Sequence, residues 1–148
     1  DGYADGWVVE NNLVVNGQSH GISLFGARNC RVQNNTVVAH PDFVPDTGPW
    51  IRIADQTKTG QANFDNVIRN NIAQMLTPWD YDESSTVEAN IQGPWPAGFF
   101  VEGALNFRLA PMSPAVDAGI NAALANFDLD GEARQVGAAV DAGAYERQ

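Results

Sequence analysis

Apolar and polar positions along this chain alternate in short runs, and one pattern returns four times. It is an apolar residue, two further positions, an Asn and then apolar residues. The copies are Val9-Glu10-Asn11-Asn12-Leu13, Val32-Gln33-Asn34-Asn35-Thr36-Val37, Ile68-Arg69-Asn70-Asn71-Ile72 and Val87-Glu88-Ala89-Asn90-Ile91. Their lead residues are spaced by 23, 36 and 19 positions. The middle interval is lengthened by Pro41-Asp42-Phe43-Val44-Pro45-Asp46-Thr47-Gly48-Pro49, which has the Pro/Gly/Asp composition of a loop.

Between the copies lie Gly21-Ile22-Ser23-Leu24-Phe25 and Trp50-Ile51-Arg52-Ile53-Ala54. The period of two places Ile22, Leu24, Ile51 and Ile53 on one face and Ser23 and Arg52 on the other. Strands are therefore expected at Ile22–Leu24, Val32–Asn34, Ile51–Ile53 and Ile68–Arg69. A unit of this length with several strands and no helical period buries its apolar face only by stacking on the next copy, which is the logic of a solenoid. Stacking brings equivalent positions together. Asn tolerates left-handed backbone, and its amide bonds in both directions, so Asn12, Asn35, Asn71 and Asn90 are expected to form an inward hydrogen-bonded ladder. Asn90 is the weakest rung, because its interval is short and Ala89 replaces the first Asn.

Composition narrows the partners. The 148 residues are 44% hydrophobic and 18% charged, which suits a folded core and excludes generic disorder. Apolar runs are too short to span a membrane as a helix. Net charge is −10, and Lys58 is the only lysine beside seven arginines. Such a surface repels phosphate backbones, so nucleic acid is excluded as a partner. Cys30 is alone, which rules out an internal disulfide, and its parity with Val32 predicts a buried, inert thiol. The chain opens on Asp1-Gly2, the expected signature of a processed or truncated piece of something longer.

The string Gly21 to His40, GISLFGARNCRVQNNTVVAH, resembles the repeats of the pectin-lyase-like superfamily. From about Phe107 a second resemblance begins, to the C-terminal segment of bacterial surface proteins of the choice-of-anchor Q type. It rests on Leu109, Pro111, Ser113, Pro114, Ala115, Asp117 and Gly119, then Asp128, Asp130, Gly131 and Arg134, and finally Asp141, Gly143, Ala144, Tyr145 and Glu146. Met112 departs from it, standing where those proteins often carry a small residue. The resemblance implies an all-β, right-handed parallel β-helix over residues 1–106, the C-terminal part of a longer helix. Residues 107–148 would fold back as a capping segment of the same domain. It also implies a secreted or cell-surface bacterial protein. It implies no reaction, because fold does not give function.

Candidate chemistry lies on outward positions. Ser23, Trp50, Arg52 and Arg69 form the expected sugar-binding surface, in which a stiff aromatic ring covers apolar sugar faces and arginine forks onto carboxylates or hydroxyls. Glu10, Gln33, Arg69 and Glu88 occupy equivalent repeat positions and are expected to line one exposed face. A polysaccharide lyase needs a base and a cation, for which His20 or Arg52 and Asp42, Asp46 or Asp55 are available. A glycosidase needs paired acids, for which Asp42, Asp55 and Glu88 are the loose candidates. None falls at tight repeat-equivalent positions, and the parity of His20 with Ile22 across Gly21 predicts a turn or core histidine. Asp128-Leu129-Asp130-Gly131 opens as several calcium loops do, with Asp117, Asp141 and Glu146 as further donors. The alternative is that these acids cap turns and pair with Arg134. No cofactor is required, and calcium is the one candidate. The aromatics Trp79, Tyr81, Trp95, Phe99 and Phe100 are expected to seal the last coil against the tail.

Three functions stay open. The chain is a non-catalytic structural or carbohydrate-binding segment, the C-terminal part of a polysaccharide lyase, epimerase or glycoside hydrolase, or a small self-associating scaffold. In the last case a homodimer through the N-terminal coil, at Trp7, Val8, Val9 and the Ile22 strand, would cover an open solenoid end.

Overall fold

The computed structural model describes residues 4–42, 47–122 and 125–148. Asp46 and Leu124 lie outside them. Eleven strands follow in chain order: β1 (Val8–Glu10), β2 (Leu13–Asn16), β3 (His20–Phe25), β4 (Arg31–Gln33), β5 (Thr36–Ala39), β6 (Trp50–Ala54), β7 (Val67–Arg69), β8 (Ile72–Ala73), β9 (Met75–Leu76), β10 (Thr86–Glu88) and β11 (Ile91–Gln92). Among the described residues there is no α-helix, and the one short 3-10 turn is Pro78–Asp80. The strands form three sheets, β1-β4-β7-β10, β2-β5-β8-β11 and β3-β6-β9; the first two take one strand from each of the four repeats, and the third takes one from each of the first three. All pairings are parallel. The repeats stack in register, with Val9 opposite Val32, Val32 opposite Ile68 and Ile68 opposite Val87.

The register follows from the inward rows. Val32, Val37, Ile51, Ile53, Ile68 and Ile72 have no appreciable exposed surface. A fully buried side chain of this kind contributes about 1.5–3 kcal/mol, and a one-residue slip would turn each row to solvent. Cys30 is buried with them, its thiol facing the Ala4 and Arg28 carbonyls.

Between the first and second strand of each repeat the chain turns a two-residue corner, and the two residues have separate jobs. The first, Asn11, Asn34, Asn70 or Ala89, takes left-handed backbone at φ 50 to 55°. The second carries the amide column. Asn12 Nδ2 donates to Asn35 Oδ1 at 2.9 Å, Asn35 Nδ2 to Asn71 Oδ1 at 3.0 Å, and Asn71 Nδ2 to Asn90 Oδ1 at 2.9 Å. Each of these acceptor oxygens also takes the backbone N–H of the residue above, at 3.0 to 3.1 Å. Asn90 closes the column by donating to the Ile68 carbonyl.

The tail uses the other row of the corners. Asn11 Nδ2 donates to the Phe127 carbonyl, Asn34 Nδ2 to that of Asp141, and Asn70 both donates to the Ile120 carbonyl and accepts from its N–H. Thr36 Oγ1 accepts from Ala144 N–H, and the Asn70 carbonyl from Gly143 N–H. Ile120, Phe127, Asp141, Gly143 and Ala144 thus tie the tail to the corners of the first three repeats. Phe127 and Val136 are 60% and 49% exposed, because the backbone rather than these side chains does the docking. Phe99, Leu109 and Ala115 pack on Ile72 with Ile91, Trp95 and Phe100. Trp79 stays out of that cluster at 68% exposed, and Tyr81 joins the main core instead, donating to the Ile51 carbonyl.

Candidate functional site

The outer face of the β3-β6-β9 sheet carries the densest group of chemically useful side chains. Ser23 stands directly opposite Arg52, and His20 opposite Trp50. Strict alternation would send His20 and Ser23 to opposite faces. A bulge between His20 and Ile22 changes that, so His20 lies exposed beside Ser23 rather than in the core. Its cause is Gly21: a Cβ there would come within 2.7 Å of the Trp50 carbonyl oxygen and closer still to Val37. The turn or core position expected for His20 is therefore corrected to an exposed strand position, and a Gly inside a strand pattern is the sequence sign of such a bulge.

Three polar contacts knit the face together. His20 Nδ1 and Ser23 Oγ lie 3.1 Å apart, and Trp50 Nε1 donates to the same Oγ at 3.2 Å. The His20 ring meets the Trp50 ring edge-on at 4.8 Å. The Arg52 guanidinium sits between two aromatic faces, 5.5 Å from the Phe25 ring centre and 5.9 Å from that of Trp50. It is held by Asp80 of the 3-10 turn, at 3.0 Å from Nε and 3.3 Å from Nη2. Phe25 was legible from its parity with Ser23. Asp80 was not, because it arrives from a loop with no repeat pattern. Phe25, Arg52, Asp55, Gln56, Thr57 and Lys58 border a shallow groove of about 290 Å³ beside this face. A second groove of about 320 Å³ is lined by Thr47, Gly48, Gln74, Met75, Gln92, Gly93 and Pro94, with no titratable side chain.

The other candidates lie elsewhere. Arg69 is on the β1-β4-β7-β10 sheet and 8% exposed, so it does not share a surface with Arg52. It donates to Gln33 Oε1 at 3.2 Å and lies 3.7 Å from Glu88, while Gln33 Nε2 donates to Glu10 at 2.7 Å. The repeat-equivalent row exists as a single file, but its centre is buried rather than exposed. Glu88 is on that sheet too, away from Asp55. Asp55 Oδ1 accepts from both the backbone and side-chain amide of Asn63, tying the loop after β6. Asp42 is exposed in the turn after β5.

In the tail the carboxylates face peptide N–H groups. Asp128 accepts from the backbone of Asp130, Glu132 and Glu146, Asp141 from that of Asp117 and Arg147, and Glu146 from that of Val136 and Asp141. Asp117 accepts from Ala139 N–H, and Asp130 is forked onto Arg108 at 2.6 and 2.7 Å. Buried Arg134 donates to the carbonyls of Asp141, Gly143 and Ala144. Burial lowers its affinity for its proton and pushes Glu146 up to about 7, the latter against its two N–H donors. Among the described residues no group of three His, Cys, Asp or Glu side chains is placed to hold a metal ion, so Asp128, Asp130 and Asp141 do not converge on a calcium site. No helix of the described chain is long and apolar enough to cross a membrane.

No protein family, curated protein or solved structure matches this chain.

Proposed function

We propose that this chain is a right-handed parallel β-helix segment of the pectin-lyase-like kind, with a choice-of-anchor Q-like tail. In this proposal it serves a secreted or cell-surface bacterial protein as a carbohydrate-binding surface. Right-handedness is supported by the preference of parallel crossovers, which take that hand in about 98% of cases. The observation that carries the binding role is Arg52 held between the Phe25 and Trp50 rings on an outer sheet face beside a groove. Flat aromatic surface and a fixed guanidinium suit the two faces of a sugar ring. Glu88 lies on the β1-β4-β7-β10 sheet and Asp55 in the loop that follows β6 of another sheet, which disfavours glycosidic cleavage by that pair. Polysaccharide binding needs no cofactor here.

A glycan array on the purified chain, with and without calcium, tests the proposal. Binding to a polysaccharide that is lost in Trp50→Ala and weakened in Arg52→Ala is the expected result. No binding to any glycan would overturn it, and unsaturated uronate or new reducing ends would favour the lyase, epimerase or hydrolase alternative.

A self-associating scaffold is the second possibility, supported by Trp7 and Val8, 56% and 44% exposed at the start of β1, which among the described residues has a neighbouring strand on one side only. Sedimentation at micromolar concentration, comparing the chain with Trp7→Ser, separates dimer from monomer.

A further inference from the structure

We propose that Ser23 and His20 form a nucleophile–base pair that removes acyl groups from esters presented on this face. Three observations converge. The bulge at Gly21 turns His20 onto the face of Ser23, where regular alternation would separate them. The two side chains then lie within hydrogen-bond distance, 3.1 Å from Nδ1 to Oγ. An indole N–H can only donate, so Trp50 occupies a lone pair of Oγ. With the imidazole proton on Nε2, the hydroxyl proton is directed to His20 Nδ1, the arrangement in which a base activates a serine.

Arg52 supplies the third part. It stands opposite Ser23 in register, and its Nη1 donors have no partner among the described residues. A guanidinium fixed by Asp80 stabilises negative charge as it develops on an adjacent carbonyl oxygen. The groove bordered by Phe25 and Arg52 receives the rest of the ester.

The steps balance without a further reagent. Ser23 Oγ attacks the ester carbonyl carbon as its proton passes to His20 Nδ1. The carbon–oxygen bond to the alcohol breaks, and the alcohol leaves with that proton. Water, losing a proton to the same nitrogen, then attacks the acyl–Ser23 carbonyl; the acyl–Oγ bond breaks, the proton passes from His20 to Ser23 Oγ, and the acid is released. Trp50 is a positioning residue: its indole N–H orients Ser23 Oγ by donating to it and exchanges no proton in the reaction.

The test uses the full chain with p-nitrophenyl acetate and a fluorophosphonate probe. Wild type is expected to hydrolyse the ester and to carry a single adduct, mapped by mass spectrometry to Ser23. Ser23→Ala abolishes both, and His20→Ala lowers the rate about 100-fold or more. Trp50→Phe lowers kcat more than it changes KM. Each variant is first matched to wild type by circular dichroism. An unlabelled Ser23 in the folded protein, or hydrolysis unchanged in Ser23→Ala, would overturn the pair. The identity of the natural ester rests on the carbohydrate-binding proposal, but these probes do not. Labelled Ser23 with an empty glycan array overturns the binding alone, and bound glycan with unlabelled Ser23 overturns the pair alone.

Discussion

The side-chain amide of Asn35 donates to Asn71 Oδ1 at 3.0 Å across 36 residues of sequence, and both side chains are fully buried. Asn35 also accepts from Asn12 and donates to the Val9 and Gln33 carbonyls. Replacing Asn35 by Leu strands these partners and is expected to cost about 1–3 kcal/mol. Asn12→Leu costs less, because Asn12 is exposed and its oxygen accepts from no described residue. Urea unfolding of the two variants checks the order, and equal effects would mean that the column is not continuous.

Ala89 takes the left-handed corner position, φ 50°, that Asn fills in the other three repeats. A Cβ disfavours that conformation by roughly 1–2 kcal/mol relative to Gly, with Asn between the two. Ala89→Gly and Ala89→Asn are therefore expected to stabilise the protein, the former by up to about 1.5 kcal/mol, the strain relieved less roughly 0.4–1 kcal/mol of unfolded-chain entropy. Thermal melts give the sign.

Gly143 packs its backbone against the corner of the second and third repeats. At φ +95° a Cβ would lie 2.7 Å from both Ile72 Cδ1 and Thr36 Oγ1. Gly143→Ala is expected to destabilise the docked tail by about 2–5 kcal/mol, summing backbone strain and overpacking. Limited proteolysis should then cut within residues 107–148 before the strands.

Burial raises the Glu146 carboxyl from 4.5 to about 7 and raises Asp141 in the same direction. The folded state thus holds the Glu146 proton more tightly than the unfolded chain does. Stability from this group is present in full below pH 4.5 and is lost as pH rises through about 7. Melting temperature is expected to fall across that window, and Glu146→Gln to flatten the fall whatever its absolute stability. A wild-type curve that rises from pH 4.5 to 7 would contradict the assignment.

Sequence and structure agree where neighbours in the chain decide the outcome. The alternation of Ile22, Leu24, Ile51 and Ile53 is a local signal, and the core follows it. Asn12, Asn35, Asn71 and Asn90 were findable because stacking repeats a local pattern. His20 was misplaced because one bulge residue, Gly21, shifts parity. Asn11, Asn34 and Asn70 gave no sign of holding the tail, since their partners are 50 to 116 residues distant and share no pattern with them. The tail acids fit a calcium loop by spacing, yet their oxygens meet backbone N–H groups that only folding brings near.

Methyl–methyl NOEs in solution test the parallel, in-register stack most directly. Val9, Val32, Ile68 and Val87 occupy one column across β1, β4, β7 and β10, at neighbouring strand positions. Cross-peaks are expected from Val9 to Val32, from Val32 to Ile68 and from Ile68 to Val87, with none from Val9 to Val87, three strands apart. Cross-peaks linking Val9 directly to Val87, or an antiparallel pattern of backbone NOEs between β4 and β7, would contradict the stack.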